Sequence, residues 1–228
     1  MTASASASAK RSGVIAPYGG TLVDLMVPSA DQPALKASAT KTLECSDRNA
    51  CDVELLVVGG FSPLRGFMHQ EDYDAVVSGH RTSAGHLFGL PIVMDTDRDD
   101  VVVGDKLLLT YKGQELALLE VEDKWEPNKV VEAQGCYGTT SLEHPAVRMI
   151  AMERKCFYLG GTLKGLELPS RVFPCKTPAE VRSDLPHGED VVAFQCRNPI
   201  HRAHYELFTR ALHAQNVSEN AVVIVHPT

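Results

Sequence analysis

One stretch of ten residues near the carboxyl end of the chain is rich in groups that could bind an anion. It offers side-chain amides, a guanidinium and two imidazoles, together with one thiol. A guanidinium presents a planar fork of donors that suits a tetrahedral oxyanion, and the amides add neutral donors. These groups favour a bound anion with several oxygens. The candidate residues are Gln195, Cys196, Arg197, Asn198, His201 and His204.

The flanking sequence predicts the elements that position this stretch. Residues 191–194 are a continuous apolar run, typical of a strand buried on both faces of a parallel sheet. Residues 199–215 predict a helix with one apolar face, and residues 221–225 predict a second buried strand. Strand, helix and strand form a βαβ unit, for which the general rule gives a right-handed crossover. The candidate residues then follow the carboxyl end of a strand, where open α/β sheets bind ligands.

The expected start of the helix supports the same interpretation. Asn198 suits an N-cap, and Pro199 suits the first helical position. His201 would then lie in the first turn, with His204 three residues later on the same side. Both imidazoles would stand near the positive end of the helix dipole, which favours anions.

Each of these residues also has an ordinary structural explanation. A His-x-x-His pair is more often a surface pair than a site, and a zinc helix more usually carries histidines four residues apart beside a glutamate. Arg197 could be a surface residue, Gln195 could end the strand, and Asn198 could simply mark the start of the helix. We favour the functional interpretation because five donor side chains fall within ten residues at the expected place.

The larger, preceding part of the chain predicts many short strands, tight turns and few helices. This density indicates a compact, barrel-like α+β domain. Thr177 and Glu180, which follow it, form a capping box that predicts one more short helix. The expected elements are helices at 46–58, capped by Ser46, 70–77 and 144–155, a strand at 90–94, a hairpin of 106–111 with 115–122, and a second hairpin turning at 160–161.

Composition excludes several classes of function. The chain has 228 residues, a formal net charge of −7 and a pI of about 5.7. A nucleic-acid binder would need an excess of positive charge. The chain also contains no run of 18 apolar residues, which is about the length needed to span a membrane. The six cysteines show no zinc-module spacing, so we expect reduced thiols and a cytoplasmic protein. A Ser/Ala-rich amino terminus with Lys10 and Arg11 leaves a plastid as the alternative.

The motif Gln-x-Arg-Asn-Pro-x-His-x-x-His at residues 195–204 closely resembles the signature of the ATP sulfurylase (sulfate adenylyltransferase) family. Residues 59–67, Gly-Gly-Phe-Ser-Pro-Leu-Arg-Gly-Phe, resemble a second segment of that family. The resemblance extends from about Gly13 to Thr228 and looks closest to the fungal-type branch. It implies a PUA-like mixed β-barrel domain followed by a Rossmann-like (HUP-type) nucleotidyltransferase domain. Shorter matches lie at 90–92, 127–129, 144–146 and 176–178.

The resemblance also implies roles for the candidate residues. Gln195 and Arg197 match positions that hold sulfate, and Asn198 matches a residue that contacts phosphate and steadies the transition state. His201 and His204 match the histidines that bind the ATP phosphates.

Cys196 stands where many family members have threonine. The resemblance places Cys196, Arg197 and Asn198 in catalysis, and the whole set Gln195, Cys196, Arg197, Asn198, His201 and His204 at ATP. The implied reaction is ATP plus sulfate giving adenosine 5′-phosphosulfate and pyrophosphate, the first step of sulfate assimilation. Mg²⁺ is expected with the ATP and no metal bound by the protein alone. ATP and sulfate are the expected partners, with no nucleic acid, no membrane and a homo-oligomer.

The expected organisation is a disordered tail at 1–12, the PUA-like domain at 13–170 and a partial catalytic domain at 171–228. Two parallel strands and a helix cannot bury both faces of a sheet, so we expect a truncated chain that is inactive alone. Two alternatives remain open. One is an RNA-binding or regulatory PUA-like module without catalysis, and the other is a nucleotidyltransferase that moves AMP to a different acceptor.

Overall fold

The computed structural model describes residues 13–173 and 175–227, so the predicted tail at 1–12 lies outside the described residues. The described chain divides into two compact units. One is Pro17–Cys175, and the other joins residues 13–16 to residues 176–227. Across both described ranges, no helix combines the length and apolar character needed to cross a membrane.

The first unit is a mixed α/β structure built on one six-stranded sheet. Its strand order is β1-β4-β5-β6-β2, and β3 also pairs with β6. All neighbours are antiparallel except β1 and β4, which are parallel. The strands are β1 (Lys41–Glu44), β2 (Gly66–Phe67), β3 (Met94–Thr96), β4 (Lys106–Tyr111), β5 (Gln114–Trp125) and β6 (Phe157–Gly165).

Five helices accompany this sheet: α1 (Gln32–Ala37), α2 (Asp47–Val57), α3 (Gln70–Gly79), α4 (Lys129–Tyr137) and α5 (Pro145–Met152). The predicted α+β character is confirmed. The strand path is nevertheless open, because among the described residues no ladder joins β1 to β2 or β3. The long strands β5 and β6 form the centre of the sheet, and the short strands lie at its margins.

The core of this unit lies between the sheet and the helices. Leu107 and Leu109 of β4 and Leu119 of β5 are fully buried, as is Leu56 of α2. Burying such a side chain contributes about 1.5–3 kcal/mol. Residues 116–119 of β5 are all buried, so both faces of the sheet are covered at this strand.

Local sequence signals set several of these elements. Ser46 is the N-cap of α2 and its side chain accepts a hydrogen bond from the Asn49 backbone N–H, as predicted. Lys112 and Gly113 both have positive φ, at 49° and 81°, and form the predicted tight turn between β4 and β5. The predicted strand at 90–94 is displaced to β3, which begins at Met94. Pro91 has no N–H to give to a ladder, which fits its place outside the strand.

The predicted hairpin at 160–161 is wrong, because β6 runs straight through both glycines. A Cβ on Gly161 would lie 1.9 Å from the Glu120 carbonyl oxygen, and one on Gly160 would lie 2.5 Å from the Met68 carbonyl oxygen. Gly161 has a φ of 151°, which side-chain-bearing residues rarely adopt. The pair therefore permits close approach of neighbouring backbones and makes no turn.

The second unit holds α6 (Pro178–Asp184), β7 (Val191–Cys196), α7 (Arg202–Leu212) and β8 (Val222–Pro227). The capping box before α6 is present, with Thr177 and Glu180 bonding reciprocally. β7 and β8 pair in parallel and α7 connects them, so the predicted βαβ unit is confirmed. The expectation that β7 is buried on both faces is wrong, because Val191 and Ala193 are exposed and α7 covers only the face that carries Phe194.

Candidate functional site

The candidate site begins where β7 and β8 end side by side. Gln195 is paired in register with His226, and Cys196 with Pro227. Both strands therefore finish at the same edge of their sheet, and β7 leads directly into α7. This is the edge at which parallel α/β sheets bind ligands.

The helix begins later than the sequence indicated. The expected N-cap was Asn198 with Pro199 in the first turn, but α7 starts at Arg202 and His201 is its N-cap. His201 has extended backbone dihedrals, with φ −125° and ψ 175°, and its side chain makes no capping hydrogen bond. Since an uncapped first turn leaves backbone N–H donors unsatisfied, the start of α7 is open to an acceptor from a ligand.

The two histidines lie together at this helix start. Their rings stack with centroids 3.8 Å apart and an interplanar angle of 28°. His204 also contacts Phe194 of β7, with ring centroids 5.3 Å apart, and Phe208, one turn further along α7, contacts the same ring at 5.7 Å. Phe194 therefore fixes His204 against the strand, while His201 remains exposed.

One nitrogen of this pair has no partner. The Nδ1 atom of His204 is buried and makes no hydrogen bond within the described ranges. A buried polar atom without a partner costs free energy, commonly about 1–3 kcal/mol. The first turn of α7 contains no acidic residue. The helix start therefore combines two imidazoles, free backbone donors and no opposing negative charge, which suits an anion.

The remaining candidates are less closely gathered. Side chains alternate along a strand, so Gln195 points to the face of β7 opposite Phe194 and α7. Cys196 points to the same face as Phe194 and is buried. Arg197 and Asn198 are exposed in the connection to α7 and make no side-chain hydrogen bond to any other described residue. The structure thus brings His201 and His204 into contact and leaves Arg197 and Asn198 on the adjoining surface.

Two residues at this place were not found from the sequence. His226 stands beside Gln195 through the strand register, and the signal for it was its position at the end of the second apolar run. Phe194 supports His204, although in the linear pattern it was only one member of an apolar strand. His226 is recognised from strand pairing and Phe194 from the packing of α7 on β7, and the linear sequence shows neither.

Two family models match this chain. The model of the PUA-like domain matches residues 15–168, which is more than half of the chain. The ATP-sulfurylase family model matches residues 174–228, which include β7, α7 and β8. The two matches fall on either side of residues 169–173.

Individual relatives extend the comparison. A sulfate adenylyltransferase of Phaeosphaeria nodorum is 39% identical over 226 residues, covering 92% of this chain and 39% of the relative. One of Candida albicans is 38% identical over 234 residues, covering 92% of this chain and 44% of the relative. The chain therefore spans about two fifths of the length of these relatives.

A solved structure, the hexameric APS kinase from Thiobacillus denitrificans, has a TM-score of 0.71 and 27% identity. The superposition covers 94% of this chain and 39% of that one. The fold and the family matches together define a PUA-like domain followed by residues of the ATP-sulfurylase family model. The chain belongs to the ATP sulfurylase family, in its fungal-type branch.

Proposed function

We propose that the protein carrying this sequence catalyses transfer of the AMP group of ATP to sulfate, giving adenosine 5′-phosphosulfate and pyrophosphate. The observation that carries this proposal is the stacked pair of His201 and His204 at the uncapped start of α7. Such a place stabilises the negative charge of a phosphate group. The names of the fungal relatives support the choice of acceptor.

The reaction places a particular demand on the protein. A sulfate oxygen attacks the α-phosphorus of ATP, a new phosphorus–oxygen bond forms, and the bond to the β-phosphate oxygen breaks as pyrophosphate leaves. Sulfate is already ionised near neutral pH, so no general base is required. The difficulty lies in bringing two polyanions together, and catalysis should rest on positioning and charge neutralisation.

We assign the binding of sulfate and the binding of the ATP phosphates to different candidate residues, according to their positions. We assign sulfate to Arg197 and Gln195, whose donors follow the end of β7. His201, His204 and the first turn of α7 would hold the departing pyrophosphate. Asn198 would contact the phosphates between them. Cys196 is buried, so at this position the backbone amide is the group best placed to serve the nucleotide.

Magnesium is expected to come with the nucleotide. Among the described residues, no three His, Cys, Asp or Glu side chains are grouped closely enough to hold a metal ion. Mg²⁺ would arrive on the triphosphate of ATP, where it supplies charge neutralisation during phosphoryl transfer. We also propose a homo-oligomer, by analogy with the hexameric structural relative, and a cytoplasmic location.

The test of the proposed function is sulfate-dependent release of pyrophosphate. The protein, ATP and Mg²⁺ are incubated with sulfate, with molybdate, or with no oxyanion, and pyrophosphate is measured. We expect release only when sulfate or molybdate is present. Release with a different acceptor but not with sulfate would identify another AMP transferase. A salt-dependent shift of RNA on a gel, without release, would identify the binding module.

A further inference from the structure

A cavity of about 450 Å³ lies within the PUA-like unit and is separate in sequence from the candidate site. Its volume falls inside the roughly 300–1,000 Å³ typical of sites for small molecules. One wall is apolar and partly aromatic, with Phe61, Phe88, Ile92, Tyr137 and Met149 among its residues. The walls therefore favour a ligand with an apolar body.

Four ionisable side chains also line this cavity: Arg48, Asp52, Glu132 and Arg154. Arg48 and Asp52 lie one turn apart on α2, yet neither side chain makes a hydrogen bond or an ion pair within residues 13–173 and 175–227. Arg48 is exposed and Asp52 is half-buried, so both charged groups are open to a ligand that enters the cavity.

Arg154 is the most informative of the four, since its side chain is only 9% exposed. Its Nη1 atom donates to the Val93 carbonyl oxygen at 3.3 Å and to Asp95 Oδ1 at 3.1 Å. Its Nε atom is buried without a hydrogen-bond partner, and no hydrogen bond from Nη2 to another described residue is present. Nη2 is therefore the nitrogen of Arg154 that is neither buried nor bonded, and a guanidinium donor of this kind suits a carboxylate.

Arg154 lines two neighbouring cavities. One holds Asp95, to which Nη1 is bonded, and the other holds Asp52 and Glu132. Arg48 also lines both cavities. The two guanidinium groups therefore supply the positive charge of the cavity that holds Asp52 and Glu132.

The two acids supply the opposite charge. Glu132 is 3% exposed, and its Oε2 accepts hydrogen bonds from the hydroxyls of Tyr73 and Tyr158 at 2.9 and 3.0 Å. Its other oxygen accepts none from the described residues. Burial raises the pKa of the Asp52 carboxyl to about 6, against the opposing effect of Arg154 and Arg48. Both carboxyl groups would gain from a cationic donor brought by a ligand.

The presence of both positive and negative side chains in the cavity limits the class of ligand that can bind there. A plain anion would meet Asp52 and Glu132 as like charges, and a plain cation would meet Arg48 and Arg154 in the same way. A molecule that carries both a carboxylate and an ammonium group on a short frame satisfies both sets. We propose that this cavity is a binding site for a free α-amino acid with an apolar side chain.

In this arrangement the carboxylate binds Nη2 of Arg154 and the guanidinium group of Arg48. The ammonium group lies between Asp52 and Glu132. The side chain packs on the aromatic wall formed by Phe61 and Phe88. The site lies in the first unit, and its occupancy does not depend on the proposed transferase reaction.

The test is isothermal titration of the protein with L-phenylalanine and with L-leucine. Two further probes each lack one charge: 3-phenylpropionate has no ammonium group, and phenethylamine has no carboxylate. We expect saturable one-site binding of at least one amino acid, at least tenfold tighter than either single-charge probe. The thermal unfolding midpoint should rise with the same ligand. Absence of binding by both amino acids, or equal binding of 3-phenylpropionate, would overturn the proposal.

The affinities of two variants distinguish binding in this cavity from non-specific binding elsewhere. Arg154 also holds Asp95, so its replacement can disturb the fold, and Asp52→Asn is the better probe because Asp52 has no bonded partner here. We expect Asp52→Asn to weaken amino-acid binding at least tenfold with an unchanged circular dichroism spectrum. Asp74→Asn, an exposed position on α3 away from the cavity, should bind as the wild type does. Unchanged affinity in Asp52→Asn would refute the assignment.

Discussion

The imidazole rings of His201 and His204 stack 3.8 Å apart at the N-terminus of α7, with Phe194 of β7 behind His204. This places two potential cationic donors where the helix dipole is already positive. An anion bound there would lie beside both rings and accept hydrogen bonds from the backbone N–H groups of the helix start. The pair is therefore arranged for a ligand of high negative charge.

The first prediction concerns anion binding by this pair. His204→Ala should weaken binding of pyrophosphate to the 228-residue chain, because it removes one donor and the stacking partner of His201. Loss of a charge-assisted hydrogen bond costs about 1.5–3 kcal/mol, which is roughly 10- to 150-fold in affinity. Isothermal titration measures the change. His213→Ala, at the other end of α7, is the matched control and should leave affinity unaltered.

The second prediction concerns the pH dependence of stability in the PUA-like unit. Asp105 accepts hydrogen bonds from Lys41 Nζ at 2.5 Å, the Val102 backbone N–H at 2.9 Å and Thr40 Oγ1 at 2.8 Å. These bonds, that of Lys41 first, lower the pKa of Asp105 from 3.8 to about 2. Because the folded value lies below the unfolded one, the stabilisation is present above about pH 4 and is lost as the pH falls through 2.

Asp105→Asn should therefore lower the free energy of unfolding by about 2 kcal/mol at pH 7, and by much less at pH 2. Urea denaturation at the two pH values measures the difference. Asp99→Asn, an exposed acid in the same region, serves as the control and should show almost no effect. A deficit for Asp105→Asn that is equal at both pH values would contradict the assigned role of the ionised carboxyl group.

The third prediction tests the glycine pair in β6. Gly161→Ala places a methyl group 1.9 Å from the Glu120 carbonyl oxygen at a φ of 151°, so β5 and β6 must separate. Overpacking of this kind costs about 1–3 kcal/mol, and occasionally more. Gly79→Ala has nothing within 4 Å of the new atom and should unfold at the wild-type urea concentration. If both variants unfold at the wild-type midpoint, close approach is not the reason for glycine at 161.

Structural features that depend on residues close in sequence were predictable, and features that depend on residues distant in sequence were not. Ser46 caps α2 and Lys112-Gly113 turns the β4–β5 hairpin because the partners lie within a few residues. The prediction of a turn at 160–161 was wrong because those glycines are required by the close backbones of Glu120 and Met68, which are distant in sequence.

The same limit applies to the candidate site. The donor set at 195–204 could be predicted because its members lie within ten residues and follow an apolar strand. The start of α7 at Arg202 could not, since Asn198 and Pro199 satisfied the rules for a helix start equally well. The stacking of His201 on His204, and the support from Phe194, depend on how α7 packs against β7. The cavity beside Arg154 joins residues 48–154, which no local pattern connects.

In the proposed reaction the residues after β7 hold sulfate beside the phosphates of ATP, and Arg197 tests this most directly. Arg197 is exposed and makes no side-chain hydrogen bond to the rest of the described chain, so Arg197→Ala should leave the fold intact. In the full-length protein that carries this sequence, sulfate-dependent pyrophosphate release is measured for the wild type, for Arg197→Ala, and for Arg210→Ala at the far end of α7 as the control. We predict abolished release in Arg197→Ala with an unchanged circular dichroism spectrum, and normal release in Arg210→Ala. Near-normal turnover in Arg197→Ala would contradict the assignment of sulfate to this place.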